Sequence, residues 1–394
     1  MTTAALILIA APVALFVYAY LIYPVVLYLA GRGRAVPVPG DPPEWPAVTI
    51  IVVAYNAAQA IRRTLDHLTA VDYPRAQRQI LVVSDGSTDG TDGIAAEFSD
   101  RGVEVHRVEP RGGKTAAENA AGPLVRGEVV VSTDATLIVP PASVKALARH
   151  FSDPTVGVVS GRGVSITSAV DADVARKTAG EARYLDYETR IRSLEARFGS
   201  IVGATGQLYA QRRELFQVPL APTFLTRDFA SALIAHERGY RSLQEDGAPC
   251  LVVRNASLRR EYERKARTIV LGLDTLFAYP HLLDPMRYGW FAFMLLSHKL
   301  CRWLVYLLAP VALIALFVLA ADSRGAYWTL VVVLLVLAGG MVGIYWPRGR
   351  PVPGVLATCG FAVAGGAAGV AGWYRFFTGQ HATTWKPTER GERL

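Results

Sequence analysis

The residues of this chain best suited to chemistry sit where apolar runs break off. Asp85 stands in Val82-Val83-Ser84-Asp85-Gly86-Ser87-Thr88-Asp89-Gly90-Thr91, Lys114 follows Arg111-Gly112-Gly113, Asp134 lies in Thr133-Asp134-Ala135-Thr136, and Asp228 closes Thr226-Arg227-Asp228. Gly, Ser and Asp after an apolar run favour a tight connection with outward-facing carboxylates and backbone N–H groups. Asp85 to Gly90 matches the start of a calcium loop but fails at its twelfth position, Ala96, where a bidentate Glu is needed. An Asx turn capping a helix is the plain alternative. Asp134 at a strand end can bind a divalent cation, Mg²⁺ or Mn²⁺, that neutralises a leaving diphosphate, or it can cap a turn. Lys114 at a helix start behind two glycines suits phosphate, without the full spacing of a nucleotide-hydrolase loop. Asp228 can take a proton from an attacking hydroxyl, and an N-cap role is compatible with that. Arg264, Lys265 and Arg267 can clamp diphosphate, and a basic helix beside anionic lipid explains them equally well.

These residues need a scaffold that brings distant strand ends together. Val48 to Ala54 is a continuous β-branched run ending at Tyr55-Asn56, as expected of a strand covered on both faces. Ala57 to Leu68 has helical apolar spacing, Gln79 to Ser84 is a strand, and Thr91 to Phe98 a helix. The alternation continues with strand Val103–Val108, helix Lys114–Ala121, strand Glu128–Ser132, helix Pro141–Phe151 and strand Val156–Ser160. It predicts an α/β fold with a mainly parallel sheet flanked by helices, and Tyr55-Asn56, Asp85 and Asp134 at one edge. A long charged helix is expected over Asp171–Phe198. After it come a compact Gly203-Ala204-Thr205-Gly206 loop, strand Gln207–Ala210, helix Phe229–Glu237 and a last strand at Leu251-Val252-Val253.

Apolar stretches frame this middle region. Ala4–Ala30 carries no charge and is long enough to span a bilayer, which takes about 20 residues. Its uncharged start and the basic residues after it, Arg32 and Arg34, favour a retained span over a cleaved signal. Leu304–Ala321, Ala326–Trp346 and Val355–Phe377 are three further candidates. Arg32, Arg34, Arg348 and Arg350 put the middle region in the cytoplasm of a multi-pass cell-membrane protein, with both termini outside; Lys386, Arg390 and Arg393 in the tail weigh mildly against the latter. The expected division is a span at 1–31, a Pro- and Gly-rich linker at 32–46, a catalytic domain at 47–256, amphipathic interfacial helices at 257–303, three spans at 304–377 and a tail at 378–394. The net charge of +8 reads as topology and membrane-lipid contact rather than nucleic-acid binding. Three scattered cysteines build no disulfide framework or zinc site, and seven histidines form no paired ligand motif.

Together these stretches resemble the inverting family 2 glycosyltransferases, specifically the membrane-embedded branch of cellulose, chitin, hyaluronan and poly-N-acetylglucosamine synthases. The resemblance covers nearly the whole chain and implies a GT-A-type fold. By it, Val48 to Asn56 is the family's first strand, with Tyr55 and Asn56 beside the nucleotide, and Asp85 matches the aspartate that binds the base, normally uridine. Arg111-Gly112-Gly113-Lys114 with Asn119 resembles the Gly-Gly-Lys loop, Asp134 the first carboxylate of the Asp-x-Asp metal motif, and Asp228 the general base. Gly203, Ala204, Thr205 and Gly206 occupy the place of the acceptor terminus, which is a glycan or lipid hydroxyl. Two departures stand out. Thr136 replaces the second metal carboxylate. Glu263-Arg264-Lys265-Ala266-Arg267-Thr268 replaces the Gln-x-x-Arg-Trp signature, keeping arginines for diphosphate and losing the tryptophan that stacks on an acceptor sugar. The resemblance thus implies sugar transfer to a growing glycan. Single-sugar transfer to a lipid, or a nucleotide-sugar-binding subunit of a polysaccharide machine, are the alternatives.

Overall fold

The computed structural model describes residues 2–166, 172–253, 258–347, 352–381 and 384. They divide into two compact units: a membrane unit within 2–32, 172–181 and 258–381, and a sheet unit within 33–166 and 182–253. The helices, in chain order, are α1 (Thr2–Val17), α2 (Tyr23–Ala30), α3 (Ala58–Thr69), α4 (Thr91–Ala96), α5 (Lys114–Ala121), α6 (Ser143–Ala148) and α7 (Ala172–Ala196). They continue with α8 (Arg213–Phe216), α9 (Arg227–Glu237), α10 (Leu258–Ala278), α11 (Pro285–Leu295), α12 (Cys301–Leu319), α13 (Arg324–Ile344) and α14 (Gly354–Phe377). The strands are β1 (Val48–Ala54), β2 (Arg78–Asp85), β3 (Val103–Val108), β4 (Val129–Asp134), β5 (Val156–Ile166), β6 (Leu208–Arg212) and β7 (Arg241–Val253).

The seven strands form one sheet in the order β3-β2-β1-β4-β6-β5-β7. β1 pairs parallel with β2 and β4, which explains its unbroken β-branched run: every residue is buried, with side chains alternating between two helix-covered faces. Ile50 and Val52 pack on one face with Ile61, Leu65 and Leu147; Ile51 and Val53 pack on the other with Ala117, Ala121, Val130 and Phe216. Strand order reverses between β1 and β4, so the crevice at their carboxyl ends is a topological switch point, where open α/β sheets bind ligands. Parallel register sets Ala54 opposite Ser84, and Val53 opposite Asp134, so the three predicted strand ends lie side by side. β6 runs antiparallel to both its neighbours.

β7 spans 13 residues, where the sequence predicts only Leu251–Val253. Its first part, Arg241-Ser242-Leu243-Gln244-Glu245-Asp246-Gly247-Ala248-Pro249, lacks alternation and carries a proline. As the last strand of the sheet it tolerates both, because a register shift opposite Ser160–Arg162 absorbs the irregularity. Glu245 is buried there against His150 Nε2 at 2.6 Å.

In the membrane unit, four helical stretches are long and apolar enough to cross a bilayer: Thr3–Ala30, Pro285–Leu319, Arg324–Ile344 and Gly354–Phe377. Pro285–Leu319 joins the second expected span to part of the expected interfacial region, through a π-helical turn at Leu296–Leu300. A matching π-helical turn at Tyr18–Ile22 lies beside it, and Tyr18 and Ser297 share a hydrogen bond of 2.7 Å. Arg348, Arg350, Lys386, Arg390 and Arg393 lie outside the described residues.

Candidate active site

The site builds outward from the end of β2. Asp85 is fully enclosed, and its two oxygens accept backbone N–H bonds from Gly112 (2.8 Å) and Gly113 (3.0 Å). These bonds tie the Arg111-Gly112-Gly113 loop to the sheet. Gly113 holds φ +93°, a region open to glycine, and α5 starts at the next residue. The Arg111 guanidinium carbon lies over the Tyr55 ring, 3.4 Å from its centroid. Asn56 at the end of β1 adopts φ +46°; its N–H donates to Ser87 Oγ (3.2 Å) and its Oδ1 accepts from Thr88 N (2.8 Å). Asp89 accepts from Ala58 N (2.9 Å) at the start of α3 and from Thr91 N (3.1 Å) at the start of α4. The Asp85–Thr91 turn is therefore a brace for two helices, as the Asx-turn alternative expects, and no group of three or more His, Cys, Asp or Glu among the described residues could form a metal cage.

The second half of the site lies on α5, β4 and α9. Lys114 Nζ meets Asp134 Oδ1 at 2.7 Å. Burial works against the lysine charge, but Asp134 and Glu118 outweigh it, and the Lys114 pKa is raised. Asp134, at a strand end and half-buried, belongs to no group of three or more potential metal ligands among the described residues. That fits a divalent cation that brings most of its ligands on a diphosphate, as Mg²⁺ sites with one or two carboxylates plus substrate phosphates do. Asp228 sits in the first turn of α9, two residues after the N-cap Thr226, so the helix begins two residues ahead of the expected Phe229. Its Oδ1 accepts from the Thr226 hydroxyl and from Phe229 N (3.0 Å). Its Oδ2 packs so closely on Gly206 that a β-carbon there would stand 2.5 Å away. The Gly203–Gly206 loop is pinned by Ala204 N to Asp228 O (3.2 Å) and Thr205 N to Ser160 Oγ (3.0 Å).

Tyr55, Asn56, Asp85, Lys114, Asp134, Gly203, Ala204, Thr205, Gly206 and Asp228 all fall in the sheet unit. Arg264 and Arg267 are half-buried on α10, in the membrane unit. Sequence reasoning passed over Arg227 and Glu118. Arg227 is buried, donates to Phe216 O (2.8 Å), Val218 O (3.2 Å) and Asn119 Oδ1 (2.5 Å), and lies 4.7 Å over the Phe216 ring. Its Nε stands 3.5 Å from Glu118 Oε2. The available signal was spacing: Glu118 falls four residues after Lys114, on the face that carries Ala117 and Ala121 into the core.

Residues 49–218 match the family described as Glycosyl transferase family 2. An N-acetylglucosaminyltransferase of Mesorhizobium japonicum is 28% identical over 59% of this chain and 54% of its own length. A beta-monoglucosyldiacylglycerol synthase of Synechocystis sp. is 28% identical over 32% of this chain and 27% of its own. The chain thus spans about half the length of the first relative and about a quarter of the second. A solved structure, mannosyltransferase PcManGT from Pyrobaculum calidifontis in complex with GDP-Man and Mn²⁺, has the same fold. Its TM-score is 0.68 at 24% identity, covering 94% of this chain and 99% of that one.

Proposed function

We propose that this chain, whose residues 49–218 match the family described as Glycosyl transferase family 2, carries out inverting transfer of a sugar from a nucleotide sugar, by preference a UDP-sugar, to a growing glycan at the cytoplasmic face of a membrane. The carrying observation is the juxtaposition of Asp228 with Gly206, in the same unit as the Lys114–Asp134 pair. A base beside an acceptor loop, and a cation beside a phosphate-suited strand end, are the two things a displacement at an anomeric carbon needs.

In this reading the Tyr55–Arg111 stack and the Asp85 turn receive the nucleotide, with Asn56 shaping the turn. Lys114, at a helix N-terminus, faces the diphosphate. Asp134 holds Mg²⁺ or Mn²⁺, which when bound neutralises charge developing on the leaving diphosphate. The acceptor hydroxyl, positioned over Gly203–Gly206, gives its proton to Asp228 Oδ2 as its oxygen bonds to the anomeric carbon, from the side opposite the departing diphosphate. Inversion follows from that single displacement. Arg32 and Arg34 after the first span favour the cytoplasmic side.

A second acceptor class, a lipid hydroxyl, is favoured by Thr268 standing where processive synthases carry tryptophan, and by a relative named as a glycolipid synthase. The test is a panel of UDP- and GDP-sugars offered to the reconstituted full chain with Mg²⁺, Mn²⁺ or chelator, following nucleoside diphosphate release and product mass. A ladder of products supports glycan elongation and a single lipid-soluble glycoside supports the second reading. No release with any donor and acceptor returns the chain to a binding subunit.

A further inference from the structure

Glu118 is buried to 1% exposure, and neither of its oxygens accepts a hydrogen bond from the described residues. It touches Arg227 at 3.5 Å and shares one helix face, a single turn apart, with Lys114. The Tyr209 hydroxyl on β6, equally enclosed and also without a hydrogen bond among the described residues, feels the same carboxylate. An enclosed carboxylate in this state is a liability for folding, since only charge attraction offsets the cost of removing it from water, and it does so in part. Nor is it needed to fasten its neighbours. Arg227 is already held by two carbonyls and Asn119, and Lys114 by Asp134. What Glu118 alone does is stand between the two cations of the site, one paired with the strand-end aspartate and the other adjacent in sequence to the base.

We propose that Glu118 is a positioning residue for the transfer reaction: its enclosed charge balances Lys114 against Arg227 and so sets the diphosphate half of the site against the base half. This rests on the reading of the site as a glycosyl-transfer centre. Without the negative charge, the Arg227 guanidinium, carried by the residue before Asp228 on α9, loses the carboxylate that stands 3.5 Å from its Nε. The base is then drawn toward its own neighbour rather than toward the acceptor, and Lys114 binds anions more tightly. The donor is held as well or better while the chemical step slows. Small errors of placement at a reacting centre suffice for such a loss, which can reach about 10²-fold.

The test compares wild type with Glu118→Gln and Glu118→Asp in the full reconstituted chain, measuring kcat, donor KM and the midpoint of thermal unfolding. Glu118→Gln keeps the shape and removes the charge. The expected result is a fall in kcat of about tenfold or more, donor KM unchanged or lowered, an unfolding midpoint equal to or above wild type, and partial recovery of kcat in Glu118→Asp. Wild-type kcat in Glu118→Gln overturns the proposal. So does a loss of kcat that tracks a lower unfolding midpoint and is not recovered by Glu118→Asp, which marks a packing role only. Wild type without turnover on any donor instead defeats the functional reading itself, a separate and recognisable outcome.

Discussion

Asp85 and Glu118 are both carboxyls sealed inside the sheet unit, one at the end of β2 and the other on the helix that the neighbouring loop begins. Asp85 has a backbone N–H for each oxygen, and Glu118 has none among the described residues. The first arrangement is how a buried charge becomes scaffold: charge-assisted bonds fix the loop that starts α5. The second leaves Glu118 facing Arg227 at 3.5 Å without a hydrogen bond among the described residues, which does little for the fold. Asp85 and the loop it holds are thus built on satisfied hydrogen bonds, and the surroundings of Glu118 on charge contacts without hydrogen bonds among the described residues.

The largest effect should come from Asp85→Ala. Gly112 and Gly113 lose their acceptor in a dry setting, at about 1–3 kcal/mol for each orphaned N–H. The loop, α5 and with them Lys114 lose their anchor. A clearly lower unfolding midpoint together with lost UDP binding is expected; unchanged stability would remove Asp85 from the scaffold side of the comparison. Asp228→Asn should act in the opposite manner. Turnover falls by about 10²–10⁴-fold, the range for a general base, while UDP affinity and thermal midpoint stay near wild type. Gly206→Ala should be milder, because the added methyl, 2.5 Å from Asp228 Oδ2, can push that side chain to another rotamer. A loss of the order of 10-fold in kcat with intact folding is expected, and wild-type kcat would mean that the Gly206–Asp228 contact does not set the base.

Much of this site was legible because its residues break strong patterns. β1, β2 and β4 announce themselves by β-branched runs, and parallel pairing then aligns their polar ends without further information. Asp228 was legible for the same reason, as an acidic residue opening a helix. Glu118 was not, since it sits within a helical stretch where a charged residue normally reads as the solvated face, and Arg227 was not, since it fell in the junction ahead of the expected helix Phe229–Glu237. Only the packing of α5 and α9 against the Tyr209 face of the sheet turns both inward. β7 escaped because its polar first part is affordable only at a sheet edge, a property of strand order that no local stretch reveals. The span from Pro285 was shortened in the sequence reading because His298, Lys299 and Arg302 resemble an interfacial segment, whereas the helix runs on through them.

The smallest effect, and the one that separates the two kinds of buried carboxyl most directly, is in the pH dependence of stability. Glu245 is a third enclosed carboxylate, and it belongs with Asp85: it accepts from Gly247 N (2.6 Å) and meets His150 Nε2 (2.6 Å). Burial alone would raise its pKa, but these bonds outweigh it and the pKa is lowered. Glu118 goes the other way, raised by burial despite Lys114 and Arg227. A carboxyl that holds its proton less tightly when folded stabilises the protein above its unfolded pKa of about 4.3, and that contribution is lost as pH falls through the folded value. A carboxyl that holds its proton more tightly when folded contributes most below the unfolded value, and loses that contribution as pH rises through the folded one. Thermal midpoints measured from acid to neutral pH should therefore diverge in opposite senses. Glu245→Gln is less stable than wild type at neutral pH and approaches it on acidification. Glu118→Gln matches wild type in acid and gains on it as pH rises. Parallel profiles for the two variants would mean that Glu118 is compensated as fully as Glu245, and the distinction between scaffold charge and working charge would have to be drawn elsewhere in the site.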